Sequence, residues 1–422
     1  MASTSSADGE PHKRIGRGDF VTRAGAVLAG SAPLAAALTQ PARAAGGLPE
    51  RAHELGAPLS PYGSPSAFEK GVVRVPTELT PTALSSWDFT PLQDLHGIIT
   101  PNGLFFERNH GGVPAIDPSK HRVLIHGMVD RPRVFTMADI MRYPSVSVVH
   151  FLECSGNGLT EWKKPTEKTV QLTHGLLSCA EWTGVRLSTI LNDVGVKPGA
   201  AWVLAEGADA AEMDRSIPIE KLMDDAVLAY AQNGEALRPE QGYPLRLLLP
   251  GFEGNMNIKW LRRLKVGREP FYTREETSKY TDLLENGQAR MFTFVMEAKS
   301  VITRPSGSMQ IASKGEHEIS GLAWSGRGKI TRAEVSTDAG KTWNMAQLQE
   351  PIMSKCLTRF RYPWTWSGQE AVLQSRCYDE TGYAQPTLSE LVKVRGVNSV
   401  YHLNAIQSWH VAQDGMVTNV HA

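Results

Sequence analysis

The chain has 422 residues, enough for about two or three domains with sizeable cores. Its 44 Lys and Arg balance 44 Asp and Glu, so it lacks the basic footprint that a nucleic-acid partner requires. With 38 glycines and 26 prolines, turn-rich β or mixed structure is expected rather than a helical bundle.

Residues 1–45 differ in character from the rest. His12, Lys13, Arg14, Arg17 and Arg23 precede the mildly apolar AGAVLAGSAPLAAAL, and small residues at Ala42 and Ala44 follow. A charged region, an apolar region and an A-x-A-like site read as an export signal to the periplasm. The apolar run is too short and too rich in Ala and Gly to span a bilayer, so no membrane segment is expected. GRGDFVT resembles a twin-arginine signal, degraded because Gly18 stands where one arginine belongs.

Residues 46–100 are rich in Pro, Ser and Leu and read as an irregular arm. From 101 to 285, β-like stretches such as HRVLIHGMV, VSVVHFLE and YPLRLLLPG alternate with helices, an α+β pattern. The clearest helix follows Pro218, with Leu222, Met223, Ala226 and Tyr230 on one face until Asn233-Gly234. Residues 286–396 carry short strands broken by turns, a β-sandwich pattern of about a hundred residues. There Ala333 and Val335 alternate with Arg332 and Glu334, DAGK reads as a hairpin turn, and Trp343 as a core aromatic. The tail, 397–422, holds Tyr401 and Trp409 among polar residues and is expected to lie on a partner or to fray.

Four cysteines are present. Cys356 and Cys377 lie in neighbouring strand-like runs, where a bridge or two free thiols are both open; Cys179 reads as a small buried hydrophobe. Cys154, in FLECSGNG, precedes a tight turn that would present its sulfur at a pocket edge. A metal ligand, a nucleophile and a structural thiol all fit it. Arg108, Asn109 and His110, in LFFERNHGGVP, suit an anion or a solvated loop. Arg246 and Lys259 emerge from apolar surroundings, either to meet a bound acidic group or to snorkel.

Taken in order, Phe106-x-Arg108-Asn109-His110-x-x-Val-Pro, Cys154-x-Gly-Asn and Gly-aromatic-Pro-x-Arg246 before Asn257-x-Lys259-Trp resemble the sulfite oxidase family of molybdenum enzymes. The resemblance spans nearly all of residues 85–395. It implies a molybdopterin-binding domain followed by an Ig-like dimerisation domain. It implies Cys154 as the molybdenum ligand, with Arg108 facing the substrate oxyanion and Tyr280 near the equatorial oxo group. The pterin and its phosphate would be held by Phe106, Glu107, Arg108, Asn109 and His110, by Asp209 and Gln241, and by Arg246, Asn257, Ile258 and Lys259. Gln241 stands where the family often has a histidine.

Sulfite-oxidising members follow Cys-x-Gly-Asn with Arg-Arg, whereas this chain has Gly158 and Leu159. ECSGNGLTEWKKPTEKTVQLTHGLLSCAEWTGV and VNSVYHLNAIQSW are more similar to the family's sulfane dehydrogenases, from thiosulfate-oxidising systems. Their substrate is a persulfide on a carrier protein's cysteine, and Trp162, Lys163 and Lys164 would line its entrance or form a solvated turn. No Cys-x-x-Cys-His haem site is present. The resemblance therefore implies an external periplasmic c-type cytochrome as electron acceptor, and a homodimer through the C-terminal domain, alone or within a hetero-oligomer. Other readings are a sulfite dehydrogenase, another oxo-transferase, and a cofactor-free scaffold that binds a partner.

Overall fold

The structure, a computed structural model, describes residues 53–422. The expected export signal lies outside these residues. Residues 53–64 belong to a separate unit and are irregular; residues 65–422 form one compact unit.

Three short strands open the compact unit: β1 (Val75–Pro76), β2 (Trp87–Phe89) and β3 (Glu107–Arg108), paired in that order. Next come β4 (Arg122–Gly127), β5 (Arg133–Thr136), α1 (Met137–Ile140), β6 (Ser145–Glu153), α2 (Val170–His174) and β7 (Leu177–Arg186). They are followed by α3 (Leu187–Val194), β8 (Trp202–Gly207), β9 (Asp214–Pro218), α4 (Ile219–Asp224) and β10 (Val227–Gln232). The region closes with β11 (Glu235–Ala236), β12 (Arg246–Leu248), β13 (Leu261–Gly267) and α5 (Arg274–Thr277).

Two sheets result. One is ordered β5-β4-β13-β8-β9, with β4 and β13 parallel; the other is β11-β10-β7-β6, with β12 also paired to β10. Against α4 and β7 lies α3, whose Leu187, Ile190, Leu191 and Val194 recur at helical spacing and are all buried in a core that both sheets share. It stops at Gly195, in the left-handed region at φ 73°, whose N–H returns to Leu191 and Asn192. Leu191→Ala would cost about 2–5 kcal/mol through lost burial and the cavity left behind.

The helix expected after Pro218 ends at Asp224, and Ala226 and Tyr230 are not on it. Val227–Gln232 is instead a strand between β7 and β12, with Val227, Leu228 and Ala229 buried. A short apolar run satisfies helix and strand alike, and burial on both faces selected the strand here. Asp225 marks the break: its carboxylate is held 2.5 Å from both Lys221 and Lys355.

A hairpin of β14 (Asp282–Leu283) and β15 (Ala289–Arg290) leads to the C-terminal domain. It comprises β16 (Lys299–Arg304), β17 (Gly315–Trp324), β18 (Ile330–Ser336), β19 (Asn344–Met345), β20 (Gln347–Gln349), β21 (Thr358–Trp366) and β22 (Ala371–Asp379). After α6 (Leu388–Arg395), β23 (Ser408–Val411) and β24 (Val417–Val420) complete it. Sheets ordered β16-β17-β21-β20 and β19-β18-β22-β23-β24 enclose Trp324, Phe360 and Trp409. The α+β fold with a C-terminal sandwich follows the sequence reading.

Ala333 and Val335 are buried as expected, but three details differ. The tail neither frays nor waits for a partner: Trp409 is 0% exposed and its strand pairs with β22. Trp343 is half-buried rather than core, with the Arg376 guanidinium stacked 4.3 Å from its ring. Cys356 and Cys377 are not bridged; all four cysteines are free, and the Cys356 sulfur faces Cys179. The arm is clasped onto the sandwich, since Arg359 donates to the carbonyls of Leu95 and Gly97.

Candidate functional site

Cys154 follows the last residue of β6. Its N–H donates to the Leu176 carbonyl at 3.0 Å, and its own carbonyl accepts from Asn157 at 2.9 Å, so the chain folds back at once. Gly158 completes the turn at φ 91°, packed so tightly on Leu403 that a Cβ would lie 2.6 Å from it. Gly254 approaches from the other side, leaving 2.9 Å between a built Cβ and the Glu153 carbonyl. The sulfur is thereby aimed into a cavity of about 690 Å³. Burial raises its thiol pKa, so a thiolate here requires a cation beside it.

That cavity gathers Phe106, Arg108, Asn109, His110, Asp209, Gln241, Arg246, Asn257, Ile258, Lys259 and Tyr280 around Cys154. Of the site residues expected from the sequence, only Glu107 is left out of its wall. The Glu107 carboxylate turns to Arg74 at 3.0 Å and accepts from Asn109. Asn257 reaches the wall but spends its side chain on the loop, accepting from the Leu249 N–H and donating to the Glu253 carbonyl.

The wall is cationic and short of counter-charges. Arg246 is buried, stacked 4.9 Å from Trp182, and its hydrogen bonds reach only Gln241 and the Asn257 carbonyl. Its Nε has no partner, and burial pushes its pKa down to about 9. Lys259 donates to the carbonyls of Arg108 and Glu240 and to the Asn109 side chain. Desolvation, with Arg246 next, lowers its pKa to about 7. Buried cations with this little compensation call for an anion.

At the outer rim, His110 Nε2 lies 3.0 Å from the Tyr280 hydroxyl. Burial, reinforced by Arg108, lowers the imidazole pKa to about 3, so it is neutral; burial raises that of the Tyr280 phenol. A second, open cavity of about 1330 Å³ shares Arg108, His110, Cys154 and Tyr280 with the first, and leads to solvent past Trp87, Leu159, Leu176, Lys279 and Tyr401. Arg108 stacks 5.3 Å from Trp87 at the junction. Trp162 packs on Leu391 and Leu403 in a small cluster of its own, so it is no solvated turn, and it also lines a groove beside Lys163 and Lys164. Lys163 and Lys164 are exposed, and that groove meets the open cavity at Leu159 and Val400.

Among the described residues no group of three His, Cys, Asp or Glu side chains could hold a metal, and no helix is long and apolar enough to cross a membrane. Family comparison gives the context for the single thiol. Residues 110–275 match an oxidoreductase molybdopterin-binding domain, and residues 290–409 a Mo-co oxidoreductase dimerisation domain. The crystal structure of the sulfane dehydrogenase SoxCD from Paracoccus pantotrophus superimposes with a TM-score of 0.86 at 49% identity, covering 88% of this chain and 96% of that one. The chain belongs to the sulfite oxidase family of molybdenum enzymes.

Among its relatives in this family, mitochondrial sulfite oxidase of Mus musculus is 30% identical over 345 residues, which is 74% of this chain and 61% of that protein. A nitrate reductase [NADH] of Cichorium intybus is 33% identical over 344 residues, covering 70% and 37%. The chain thus spans about 61% or less of the length of these two proteins. Molybdenum bound by molybdopterin is the cofactor that this family membership carries. The residues fit it: the orphaned Arg246 Nε and the buried Lys259 ammonium suit a phosphate, and the soft Cys154 sulfur on the cavity wall suits a metal.

Several features that build the site went unseen in the sequence. Glu153 and Lys299 brace the Cys154 turn, Trp182 supports Arg246, and Tyr401 stands 5.2 Å from Tyr280, ring to ring. Only Tyr401 carried a signal, as an aromatic in a polar tail. The others are separated from their partners by scores of residues and leave no local pattern.

Proposed function

We propose that this chain is the molybdenum subunit of a periplasmic enzyme that oxidises sulfane sulfur, carried as a persulfide on a cysteine of a carrier protein. Electrons then pass to a c-type cytochrome. One observation carries the choice of substrate. The passage to Cys154 is wide, and where sulfite-oxidising relatives place two arginines it has Gly158 and Leu159, the latter on its wall. A sulfite dianion would lack a charge-assisted partner there, worth about 1.5–3 kcal/mol. A sulfur atom on an extended arm carries less charge and needs the width. The similarity to the Paracoccus sulfane dehydrogenase supports the same reading.

In this reading Cys154 ligates the metal. Arg246 and Lys259 bind the pterin phosphate, with Asn109, Asp209 and Gln241 completing the cradle. When bound, the cofactor supplies two-electron oxygen-atom transfer to sulfur. The residues around it position and neutralise. Arg108, supported by the Trp87 ring, offsets negative charge that develops on the oxidised sulfur. Tyr280 keeps its proton at its hydroxyl, and neutral His110, hydrogen-bonded to it at 3.0 Å, fixes where that hydroxyl stands. Trp87, Leu176 and Tyr401 give the approach to the junction an apolar and aromatic wall. The C-terminal domain would pair two copies, within a hetero-oligomer that includes the cytochrome.

Turnover with cytochrome as acceptor tests this, comparing free sulfite with a persulfidated carrier protein. The proposal requires the carrier to be the better substrate by kcat/KM. Free sulfite turned over as well or better would instead make the chain a sulfite dehydrogenase, a reading that Arg108 at the cavity wall would then serve.

A further inference from the structure

We propose that Cys179 and Cys356 join in a disulfide that covalently ties the molybdopterin-binding domain to the β-sandwich. Their sulfurs lie 3.4 Å apart, across 177 residues of sequence. Cys179 sits in β7 and is 0% exposed; Cys356 lies just before β21 and is 1% exposed. A disulfide requires about 2.05 Å between sulfurs, so the gap to close is small on the scale of a side-chain rotation.

Both backbones are fastened where they stand. The Cys179 N–H donates to Thr100 Oγ1 at 3.2 Å, and its carbonyl accepts from the Thr100 N–H at 2.7 Å. Lys355, next to Cys356, accepts at its carbonyl from the Phe151 N–H at 3.2 Å, and Phe151 is the residue paired with Cys179 across β6 and β7. Lys355 holds a left-handed φ of 54°, which a non-glycine residue adopts only when its surroundings enforce it, and its ammonium reaches Asp225 at 2.5 Å. The strained turn and the ion pair together deliver Cys356 to Cys179. Cys154 and Cys377 have other settings, one at the cavity and the other in β22.

Two S–H bonds break and one S–S bond forms; two protons leave to solvent. The two electrons pass to a disulfide oxidant such as glutathione disulfide, which takes up two protons and becomes two thiols. Burial raises the Cys179 pKa well above that of a free thiol, so the thiolate that exchange requires is scarce once the domains have closed. Once formed, the buried bond is shielded from small thiols.

The test is peptide mapping of the full chain carrying its cofactor, isolated from an oxidising compartment, with a second sample refolded in a glutathione redox buffer. Each is denatured with an alkylating reagent and without reductant. The expected result is alkylation of Cys154 and Cys377 only, with the Cys179 and Cys356 peptides recovered as one linked species that separates on reduction. Alkylation of all four cysteines in both samples would overturn the proposal, as would a link from Cys356 to Cys377. A Cys356→Ser chain should expose Cys179 to alkylation after denaturation and abolish the fall in Tm that reductant causes in the wild type. Cys377→Ser should leave that fall in place. The mapping uses the wild-type chain, so it decides the question whether or not either variant folds.

Discussion

Glu153 and Lys299 meet at 3.0 Å with both side chains 1% exposed. The carboxylate also accepts from Asn157 and from the Trp324 indole, and the ammonium donates to the Asn157 carbonyl. One buried pair thus locks the Cys154 turn to two strands of the C-terminal domain. Removing one member of such a pair leaves an uncompensated buried charge, at a cost of about 3–5 kcal/mol. Lys299→Met should therefore lower unfolding stability by that order and shed cofactor. A Glu153→Gln/Lys299→Met chain, with both charges gone, should recover much of the loss in denaturant titrations. Equal stability of the single variant and the wild type would refute the bracing role.

Arg246 should be needed for cofactor retention rather than for folding. Its guanidinium lacks a carboxylate partner, and Arg246→Met relieves a desolvated charge while deleting a phosphate contact. Pterin and molybdenum per chain should fall, reflecting a roughly 10- to 100-fold weaker affinity, while Tm of the cofactor-free chain holds or rises.

Lys259 gives the empty cradle a pH signature. Its pKa is lowered from 10.5 to about 7, so between those values the folded chain binds fewer protons than the unfolded chain. Stability of the cofactor-free chain should accordingly rise with pH across that window. Anion binding should run the opposite way, because Lys259 is charged only below about pH 7. Sulfate, which stays a dianion throughout, should raise Tm more at pH 6 than at pH 8.5, and Lys259→Met should remove most of that difference. An identical sulfate effect at both pH values would contradict the assignment.

Substrate choice should respond to Leu159. Leu159→Arg adds a cation to the passage to Cys154, whose wall already holds Arg108, Arg274 and Lys279. KM for free sulfite should drop roughly 10- to 100-fold, the value of one charge-assisted contact. Steady-state assays with sulfite, against an unchanged Arg108, would show it. No change would mean that width and not charge governs selection.

Much of the site was legible because its parts lie in short ordered motifs. Arg108, Cys154, Arg246, Lys259 and Tyr280 all line one cavity, as the family resemblance implied. Glu107 was misplaced because sequence adjacency to Arg108 says nothing of direction: in β3 successive side chains point to opposite faces, and Glu107 took the face toward Arg74. Val227–Gln232 was misread for a related reason, since an apolar run does not declare whether one face or two will be covered. Trp409 and Tyr401 belong to the core and the site only through partners far along the chain. The nearest thiol to Cys356 proved to be 177 residues away in Cys179, not 21 residues away in Cys377, since sequence proximity carries no guarantee of spatial proximity.

The most direct test of the molybdenum assignment is the metal and pterin content of the purified wild-type chain beside Cys154→Ser, with oxidation of sulfite and of a persulfidated carrier followed in the same samples. The wild-type chain should hold about one molybdenum, as a single thiolate ligand implies, and the variant should lose both activities. A correctly folded wild-type chain that takes up no molybdenum when cofactor is supplied, or a Cys154→Ser chain that retains full activity, would contradict it.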